Sequence, residues 1–531
     1  MKSFLGIELG STRIKAVLID ESGAQTASGA FDWENLLEGG IWIYRLEDAL
    51  GGVRESFARL LADYRAKHEG AAPDIRCMGV SAMMHGYLAF DGDWQQIAEF
   101  RTWRNTITQE AAAGLTELFG FNIPQRWSVA HLYRAIMEKE PHLGKLAHLT
   151  TLAGYVHYML TGVNALGVGD ASGMFPIDSG TCGYDAGMAA AFDAESERHG
   201  TGLRICDVLP GVLRAGEYAG HLTAEGARLI DPSGALQAGM PLCPPEGDAG
   251  TGMAATNSIA PGAGNVSAGT SVFAMIVLDK PLSRVYPEID IVTTPEGKPV
   301  AMVHCNNCTA DLDAWVDLFG SAARELGRSA EKDELYSALY TAALRGDYDA
   351  GGVVSVNYLS GEHTTGFAEG RPMIIRTQDS TFTLGNFMRS LLYTSMATLK
   401  IGIDILRDNE RVPLSGIVGH GGLFKTEAVA QKLMAGALNI PVTVMESAGE
   451  GGAWGIALLA AYRACRVEGE TLEEFLRVRV TGFAAVDTVE PEQEDVRGFA
   501  AYLERFKAAL GVEREAVALL KNRTTGIQGR G

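Results

Sequence analysis

The first residues that could do chemistry are a carboxylate and a short polar turn near the start of the 531-residue chain. Two apolar runs, 4–9 and 14–19, flank the turn Gly10-Ser11-Thr12-Arg13, and the first run contains Glu8. This pattern predicts a β-hairpin whose small-residue turn leaves backbone N–H groups open to a phosphate. The Glu8 carboxylate suits a hydrated Mg²⁺ ion. Many β-hairpins of this kind bind no ligand, so the turn alone leaves both interpretations open.

The same arrangement occurs again near the middle of the chain. Residues 264–277 read as a strand, the turn Gly269-Thr270-Ser271 and a second apolar strand. Two copies of a phosphate-binding turn, one in each half of the chain, are far more specific than one. They predict two lobes that grip a polyphosphate between them.

The elements that must position these turns follow from the periodicity of the apolar residues. Strands and helices alternate, which predicts α/β halves with largely parallel sheets. The boundary between the halves is expected within 241–261, and a charged helix from about residue 490 is expected to precede a frayed tail at 522–531. The predicted helices are 53–67, 384–406, 426–438 and 451–463, and the predicted strands are 75–81, 415–418 and 441–445.

Length and charge limit the classes of function. The chain is long enough for two large domains of roughly 150 to 250 residues each. A net charge of −20 argues against nucleic acid and anionic membrane surfaces as partners, because both need clustered Lys and Arg. The N-terminus lacks the pattern of a signal peptide, and no run reaches the length of a membrane span. We therefore expect a cytoplasmic protein.

The cysteines agree with that expectation. There are seven, an odd number scattered along the chain, which indicates reduced thiols. Cys305 and Cys308 form a close pair beside His304, but no further zinc ligands stand at a recognisable spacing. A redox dithiol stays open, and buried thiols at a strand–helix junction are the favoured interpretation.

Several motifs in order resemble one known family over about residues 3 to 465. The two turns look like the two phosphate loops of the FGGY carbohydrate kinases, which belong to the actin–hexokinase superfamily, and Gly247-Asp248 falls where that family keeps its catalytic aspartate. Residues 419–444 and the glycine-rich segment 450–455, which opens with Glu450, are similar to the adenosine motif. Leu160-Thr161-Gly162 followed by Asp170-Ala171-Ser172 also resembles a family signature.

The resemblance implies an α/β fold of two ribonuclease-H-like lobes with an interlobe cleft. The N-terminal lobe, with the sugar and the first phosphate loop, would span 1–248. The C-terminal lobe, which binds the nucleotide, would span 249–485. A helical extension and tail would occupy 486–531.

The resemblance also implies that Asp248 is a general base. A carboxylate close to a sugar hydroxyl can take its proton while the γ-phosphoryl group transfers. The alternative is that Gly247-Asp248-Ala249-Gly250 is only a turn, since Asp and Gly dominate turns. Glu8 stands where the family usually has Asp, and an altered metal site or a salt-bridged strand end is the alternative. The residues assigned to the metal are Glu8 and Asp248.

The ATP phosphates are expected to lie against both turns, which donate hydrogen bonds from the backbone and from hydroxyls. Arg13 could point to solvent instead. Two glycines would admit the adenine or ribose because they carry no Cβ, and Gln431 would lie near the base or face water. The residues assigned to nucleotide binding are Gly10, Ser11, Thr12, Arg13, Gly269, Thr270, Ser271, Gly421, Gly422 and Gln431.

The sugar is expected to contact two segments. Met83-Met84-His85-Gly86 resembles the Gln-Met-His-Gly segment of xylulokinases, and Trp103-Arg104-Asn105 resembles the family's Trp-x-Asp segment. Met83 replaces a Gln, Asn105 replaces the Asp, and Ile107 stands where Arg is common. A core histidine and a core tryptophan are the alternatives for His85 and Trp103. The residues assigned to the sugar are Met84, His85, Trp103, Asn105 and Asp248.

The predicted function is ATP-dependent phosphorylation of a small sugar, a ketopentose such as xylulose, with Mg²⁺ as cofactor. The three departures from the family pattern keep ribulose, a deoxyketohexulose and glycerol open as substrates. A non-kinase ATPase switch on the same scaffold and a sugar-binding protein without catalysis are further alternatives. No nucleic acid or membrane partner is expected, and a homodimer is left open.

Overall fold

The computed structural model describes residues 2–426, 428–445, 451–480 and 487–520. The predicted tail at 522–531 and Glu450, predicted at the opening of a helix, lie outside the described residues. Within them, no helix combines the length and the apolar composition that crossing a bilayer demands.

The first half of the chain builds a five-stranded sheet, four separate strand pairs and several helices. The strands of this half are β1 Lys2–Leu9, β2 Arg13–Ile19, β3 Gln25–Asp32, β4 Leu36–Glu38, β5 Ile41–Ile43, β6 Asp74–Ala82, β7 Leu88–Phe90, β8 His148–Thr150, β9 Ala165–Gly167, β10 Ile177–Asp178, β11 Gly183–Tyr184, β12 Gly211–Leu213 and β13 Glu246–Gly247. Its helices are α1 Leu46–Lys67, α2 Gln109–Phe119, α3 Ser128–Glu138, α4 Leu152–Thr161, α5 Val168–Ala171, α6 Ala186–Arg198, α7 Ile205–Val208, α8 Ala224–Ile230 and α9 Asp248–Ala255.

The second half builds a seven-stranded sheet, and β18 and β19 pair separately. The strands of this half are β14 Ala263–Ala268, β15 Val272–Val277, β16 Asp290–Thr293, β17 Pro299–Cys305, β18 Val354–Val356, β19 Met373–Ile375, β20 Gly416–His420, β21 Val442–Val444 and β22 Asp487–Val489. Its helices are α10 Thr309–Glu325, α11 Lys332–Ala343, α12 Leu384–Asp404, α13 Val429–Leu438, α14 Gly451–Cys465, α15 Leu472–Arg479 and α16 Gln493–Leu519.

The two sheets share one topology. The first has the order β13-β6-β1-β2-β3, and the five middle strands of the second have the order β21-β20-β14-β15-β17. In each sheet the opening hairpin and the next strand are antiparallel, while the last two strands are parallel to the first. This is the expected ribonuclease-H-like arrangement. The prediction of largely parallel sheets is wrong, because the tight turns that open each sheet impose antiparallel pairing.

Helix α14 comes from the second half of the chain but covers the first sheet. A Cβ atom at Gly6 of β1 would lie 2.1 Å from the Ala453 carbonyl oxygen, so the helix backbone rests directly on the strand. Helix α9 begins at residue 248, the expected boundary between the lobes, and it also packs against α14. The core around these helices also contains Met275 and Met302 of the second sheet. The two sheets therefore share a core, and the division 1–248, 249–485 and 486–531 stays a prediction.

The C-terminal helix α16 packs on the second half. Arg389 of α12 donates to Asp495 of α16 at 2.6 Å, and both side chains are buried. The Tyr502 hydroxyl donates to the Ser390 carbonyl oxygen at 2.9 Å. The charged helix predicted from about residue 490 is thus confirmed, and it is docked on α12, α13 and β18.

Boundaries near Gly421 and Gly422 differ from those predicted. Strand β20 runs to His420, two residues beyond the predicted end of the strand at residue 418. Helix α13 begins at Val429, after a short 3₁₀ helix at Gly422–Lys425. Ala428 has a φ of 62°, a left-handed conformation that an α-helix does not continue through.

Candidate active site

A cavity of about 300 Å³ lies between the two halves of the chain. Predicted residues from both halves line it. On the sugar side these are Met84, His85, Trp103 and Asp248, and from the turns they are Ser11, Thr270 and Ser271. Ser11, Met84 and Asp248 come just after β1, β6 and β13, which are parallel neighbours. Their carboxyl ends meet at one edge of the sheet, where ligands of α/β proteins bind.

Asp248 is the first residue of α9 and is buried in the cavity wall. Its Oδ1 accepts a hydrogen bond from the Met84 N–H at 3.3 Å. Burial raises the pKa of Asp248 to about 6, while backbone amides, Met84 first, act to lower it. The carboxylate is ionised at neutral pH and basic enough to take a proton from a hydroxyl.

The first turn is held from behind by two aromatic residues. The Gly10 carbonyl oxygen accepts from the Trp33 indole N–H at 2.7 Å, and the Ser11 carbonyl accepts from the Tyr44 hydroxyl at 2.6 Å. The Gly10 N–H donates to the Arg13 carbonyl at 3.0 Å and closes the turn. The carbonyl oxygens of Gly10 and Ser11 are thus bound by the aromatic residues behind the turn, and Ser11 lines the cavity.

The second turn is held in the same way by different residues. The Gly269 N–H donates to the Ser271 carbonyl oxygen at 2.9 Å, so this turn is one residue shorter than the first, in which Gly10 donates to Arg13. The Gly269 and Thr270 carbonyls accept from the N–H groups of Thr309 and Cys308, at 3.0 and 2.9 Å, where α10 begins. The repeated motif therefore produces two glycine turns at one cavity, each closed by the N–H of its glycine and held from outside through its carbonyl oxygens.

Two residues of the first turn do not reach the cavity. Thr12 has an exposed side chain. The Arg13 guanidinium donates to Asp32 of β3 at 2.6 Å, and its side chain is 54% exposed. The assignment of Arg13 to the phosphates is corrected here, because β2 pairs with β3 and brings the two charges together at the surface.

Glu8 lies under the start of α14 rather than in the cavity wall. Its Oε2 accepts from the Ala453 N–H at 3.2 Å, which caps the helix. Burial, together with the charge of Asp248, raises the pKa of Glu8 to about 7. Two buried carboxylates that repel each other fit a divalent cation between them. The metal role of Glu8 and Asp248 stays a prediction.

No group of three or more His, Cys, Asp or Glu that could hold a metal exists among the described residues. A cation at Glu8 and Asp248 would therefore need phosphate oxygens and water to complete its coordination.

His85 lines the cavity in a neutral form. It has a φ of 71°, and its Nδ1 lies 3.2 Å from the Gly173 carbonyl oxygen. Burial lowers the pKa of His85 to about 3. Because a carbonyl only accepts, Nδ1 must carry the proton, and Nε2 is left as an acceptor for a ligand hydroxyl.

Asn105 is a structural residue, which corrects its assignment to the sugar. Its Oδ1 accepts from the Trp42 N–H at 2.9 Å. Its Nδ2 donates to the carbonyl oxygens of Trp42 and Thr102, at 2.8 and 3.0 Å. The buried amide thus fixes the loop that carries Trp103, which is half-buried and lines the cavity.

Gln431 is likewise occupied by the backbone, which corrects its assignment to the nucleotide. Its Nε2 donates to the carbonyl oxygens of Val442 and Asp487, at 2.9 and 2.8 Å. Its side chain is buried between α13 and the strands β21 and β22.

Gly421 and Gly422 lie beside the second turn, and their nucleotide role stays a prediction. Gly421 has a φ of 102°, and a Cβ there would lie 2.5 Å from the Ala268 carbonyl oxygen. The close approach of two backbones therefore explains this glycine without a ligand. A Cβ at Gly422 would meet no atom within 4 Å.

The sequence did not reveal two polar residues of the cavity, Arg126 and His304. Arg126 forms an ion pair with Asp290 of β16. His304 lies on β17 opposite Phe273, and its Nδ1 is buried without a hydrogen-bond partner among the described residues. Side chains alternate along β17, so His304 lies on the face opposite that of Val303. This alternation in the sequence could have indicated that His304 faces away from the core around Val303. Arg126 stands in no motif.

The nearby cysteines are buried thiols at a strand–helix junction, as favoured from the sequence. Cys305 ends β17, and Cys308 precedes α10. Both are buried and free. Burial raises the pKa of Cys308 to about 12, which keeps the thiol protonated and unreactive.

Comparison with known proteins identifies the family. The N-terminal domain of the FGGY family of carbohydrate kinases matches residues 3–241, and the C-terminal domain of that family matches residues 264–464. The chain belongs to the FGGY family of carbohydrate kinases. This FGGY kinase is similar to a xylulose kinase of Haemophilus influenzae, with 22% identity over 426 residues that cover 76% of this chain and 80% of the relative.

Solved structures of sugar kinases share its fold. Xylulose kinase from Rhodospirillum rubrum has a TM-score of 0.77 at 17% identity and covers 96% of this chain and 98% of its own. Gluconate kinase from Lactobacillus acidophilus has a TM-score of 0.78 at 17% identity and covers 97% and 99%. At such identities the likeness concerns the fold, and the sugar has to be argued from the site.

Proposed function

We propose that this FGGY kinase transfers the γ-phosphoryl group of ATP to a hydroxyl of a ketopentose such as xylulose. One observation carries the proposal. A single cavity brings together Asp248, the sugar-side residues Met84 and His85, and the two glycine turns. A base, a polar and apolar surface for a sugar, and two phosphate-type turns are the parts that phosphoryl transfer to a sugar requires.

In the proposed reaction, Asp248 takes the proton of the attacking hydroxyl. The side chains of Ser11, Thr270 and Ser271 donate hydrogen bonds to phosphate oxygens as charge moves during transfer. Glu8 and Asp248 would hold a Mg²⁺ ion, which, when bound, supplies neutralising charge to the phosphates. Because these residues come from both halves, binding of both substrates favours the closed cavity and excludes water, a competing acceptor.

The sugar-side residues suit a small polyhydroxylated ligand. His85 Nε2 accepts from one hydroxyl, while the Met84 thioether and the Trp103 ring pack against the C–H groups of the sugar. The ketopentose is favoured because the xylulose kinase of Haemophilus influenzae matches most of the chain. Gluconate kinase and glycerol kinase on the same fold are the reason to test other acceptors.

A coupled assay of ADP release tests the proposal. The panel holds xylulose, ribulose, a deoxyketohexulose, glycerol and gluconate, each with Mg²⁺ and ATP. We expect the highest kcat/KM with a ketopentose. A preference for glycerol or gluconate would overturn the ketopentose, and ADP release that no sugar stimulates would favour an ATPase switch.

The Asp248→Asn variant separates catalysis from binding. We expect a loss of about 10²- to 10⁴-fold in kcat, the usual contribution of a general base. Thermal shift with ATP in the absence of Mg²⁺ should match that of the natural protein, because the two turns rather than Asp248 hold the phosphates and ligand binding raises the melting temperature by mass action. Unchanged turnover in this variant would remove Asp248 from the mechanism.

A further inference from the structure

Residues 33–45, here called the 33–45 segment, lie beside the first turn and outside both large sheets. Their middle part is the antiparallel pair of β4 and β5. Trp33 and Tyr44 stand at the two ends, are 6% and 3% exposed, and stack with ring centroids 4.3 Å apart. This stacking brings the two ends of the segment together against the turn.

The two end residues orient the peptide groups of the first turn. The Trp33 indole N–H holds the Gly10 carbonyl oxygen, and the Tyr44 hydroxyl holds the Ser11 carbonyl oxygen. In a planar trans peptide the N–H points away from the C=O, so these bonds direct the N–H groups of Ser11 and Thr12 away from the aromatic rings. No backbone carbonyl among the described residues accepts either N–H. Both donors are thus held ready for phosphate oxygens.

The same segment is bound to the Trp103 loop, residues 101–105. The Asn105 amide exchanges hydrogen bonds with both the N–H and the carbonyl oxygen of Trp42, at 2.9 and 2.8 Å. The Trp42 carbonyl also accepts from the Thr102 N–H at 3.0 Å. The Arg104 guanidinium lies over the Trp42 ring, 4.2 Å from its centroid. Because Trp103 lines the cavity, the segment joins a sugar-side wall of the cavity to a phosphate-side turn.

A path of polar side chains makes a second connection between these two places. Arg104 Nη1 donates to Asn35 Oδ1 at 3.2 Å. The Asn35 side chain also hydrogen-bonds the Tyr44 hydroxyl, which in turn donates to the Ser11 carbonyl oxygen. Burial raises the pKa of Tyr44 to about 12, although the bond with Asn35 acts to lower it. The hydroxyl therefore keeps its proton at neutral pH and remains a donor to the turn.

We propose that Tyr44 is a positioning residue for phosphoryl transfer, and that the 33–45 segment keeps the first turn in register with the Trp103 loop. This inference rests on the proposed function, because it requires a sugar and the ATP phosphates to occupy the cavity together. Tyr44 does not line the cavity, so it acts through the peptide groups that it orients. The register matters because transfer needs the acceptor oxygen and the phosphorus aligned at close range.

The first test is Tyr44→Phe, which removes one hydroxyl and keeps the ring that stacks on Trp33. We expect kcat at saturating sugar and ATP to fall about tenfold, less than the roughly 10²- to 10³-fold effect of losing an oxyanion donor itself. KM for the sugar should change less than twofold, because Tyr44 lies outside the cavity wall. An unchanged kcat would overturn the inference.

Tyr462→Phe is the matched control. Tyr462 is 2% exposed, its hydroxyl donates to the Glu470 carbonyl oxygen at 2.7 Å, and it does not line the active-site cavity. The two variants thus lose the same kind of buried bond, but only Tyr44→Phe should lower kcat. An equal loss of kcat in both would indicate general loosening and would overturn the positioning role.

The second test is a double-mutant cycle that combines Tyr44→Phe with Arg104→Met. Arg104 is exposed and outside the cavity wall, so its replacement by Met should leave the fold intact. We expect Arg104→Met to lower kcat in the natural protein and to have a smaller effect in the Tyr44→Phe background, since both residues act through Asn35 on one turn. Independent effects, or no effect of Arg104→Met, would overturn the connection between loop and turn.

A binding measurement separates this inference from the proposed function. If no sugar stimulates ADP release by the natural protein, the proposed function fails. The thermal shift that ATP causes without Mg²⁺ then still tests the orientation of the turn, because ligand binding raises the melting temperature by mass action. The shift should be smaller for Tyr44→Phe than for Tyr462→Phe, and equal shifts would overturn the role of Tyr44.

Discussion

The environment of Asp248 sets its strength as a base. Desolvation in the cavity raises its pKa, while the Met84 N–H and the amides at the start of α9 act in the opposite direction, and the balance is a pKa of about 6. A helix N-terminus favours the carboxylate, which keeps it ionised at pH 7 despite burial. The same position at the start of α9 thus provides both the location and the protonation state of the base.

This pKa predicts the acid limb of the activity profile. Below about pH 6 Asp248 of the free protein is protonated and accepts no proton, so kcat/KM for the sugar should fall about tenfold per pH unit, and it should be constant from pH 7 to 8. Initial rates at sugar concentrations well below KM and at constant ionic strength measure the profile. The residual activity of Asp248→Asn should lack this limb, and a flat profile down to pH 5 would contradict the assignment.

Sequence motifs located residues that follow strand ends, but they did not separate ligand contacts from backbone contacts. Ser11, His85 and Asp248 line the cavity because each is a few residues from a buried strand. The amides of Asn105 and Gln431 bind carbonyl oxygens instead. An amide serves either purpose equally well, so its residue type carries no information on which partner it has.

At the scale of elements, Gln431 joins α13 to two neighbouring strands. One amide nitrogen donates to the carbonyl oxygens of Val442 in β21 and Asp487 just at the start of β22. The bond to Val442 is buried and the bond to Asp487 is half-buried, so loss of the amide would leave at least one buried acceptor without its donor. This arrangement gives Gln431 a role in stability rather than in recognition of the base.

Gln431→Leu should therefore lower the free energy of unfolding by about 1–3 kcal/mol, the usual cost of an unsatisfied buried group. KM for ATP should stay within twofold. Urea denaturation and initial-rate kinetics measure the two quantities. Gln237→Leu, at an exposed position, should change the stability by less than about 0.5 kcal/mol. A raised KM for ATP at unchanged stability would restore the nucleotide role.

At the scale of the whole molecule, the repeat of two hairpins predicted two related lobes, and both sheets have the same strand order. The sequence did not predict that α14 covers the first sheet. The contact between Gly6 and Ala453 joins residues far apart in the chain, and local periodicity carries no information on such pairs. Gly6 was visible in the sequence, but the helix that it contacts was not.

Gly6→Ala tests how much the molecule depends on that contact. The added Cβ would lie 2.1 Å from the Ala453 carbonyl oxygen and 2.7 Å from the Ala457 nitrogen, backbone atoms that cannot rotate away. We expect a loss of about 1–3 kcal/mol in the free energy of unfolding, the usual cost of overpacking. Activity should fall as well, because α14 also contacts Glu8.

Gly51→Ala is the matched control, measured by the same denaturation and kinetics. A Cβ there would meet no atom within 4 Å, and Ala favours the α1 helix over Gly by about 1 kcal/mol. The control should be at least as stable as the natural protein. Equal stability of both variants would mean that α14 moves freely off the sheet.

The position of α14 has a consequence for biosynthesis. The ribosome completes the strands of the first sheet before residue 250, but the helix that covers one of its faces begins only at Gly451. At about 5–20 residues per second, the intervening 200 or so residues take roughly 10–40 s to translate. During that interval the nascent chain presents Phe4 and its apolar neighbours to water. Newborn chains of this kinase should consequently depend on chaperones until α14 has left the ribosome.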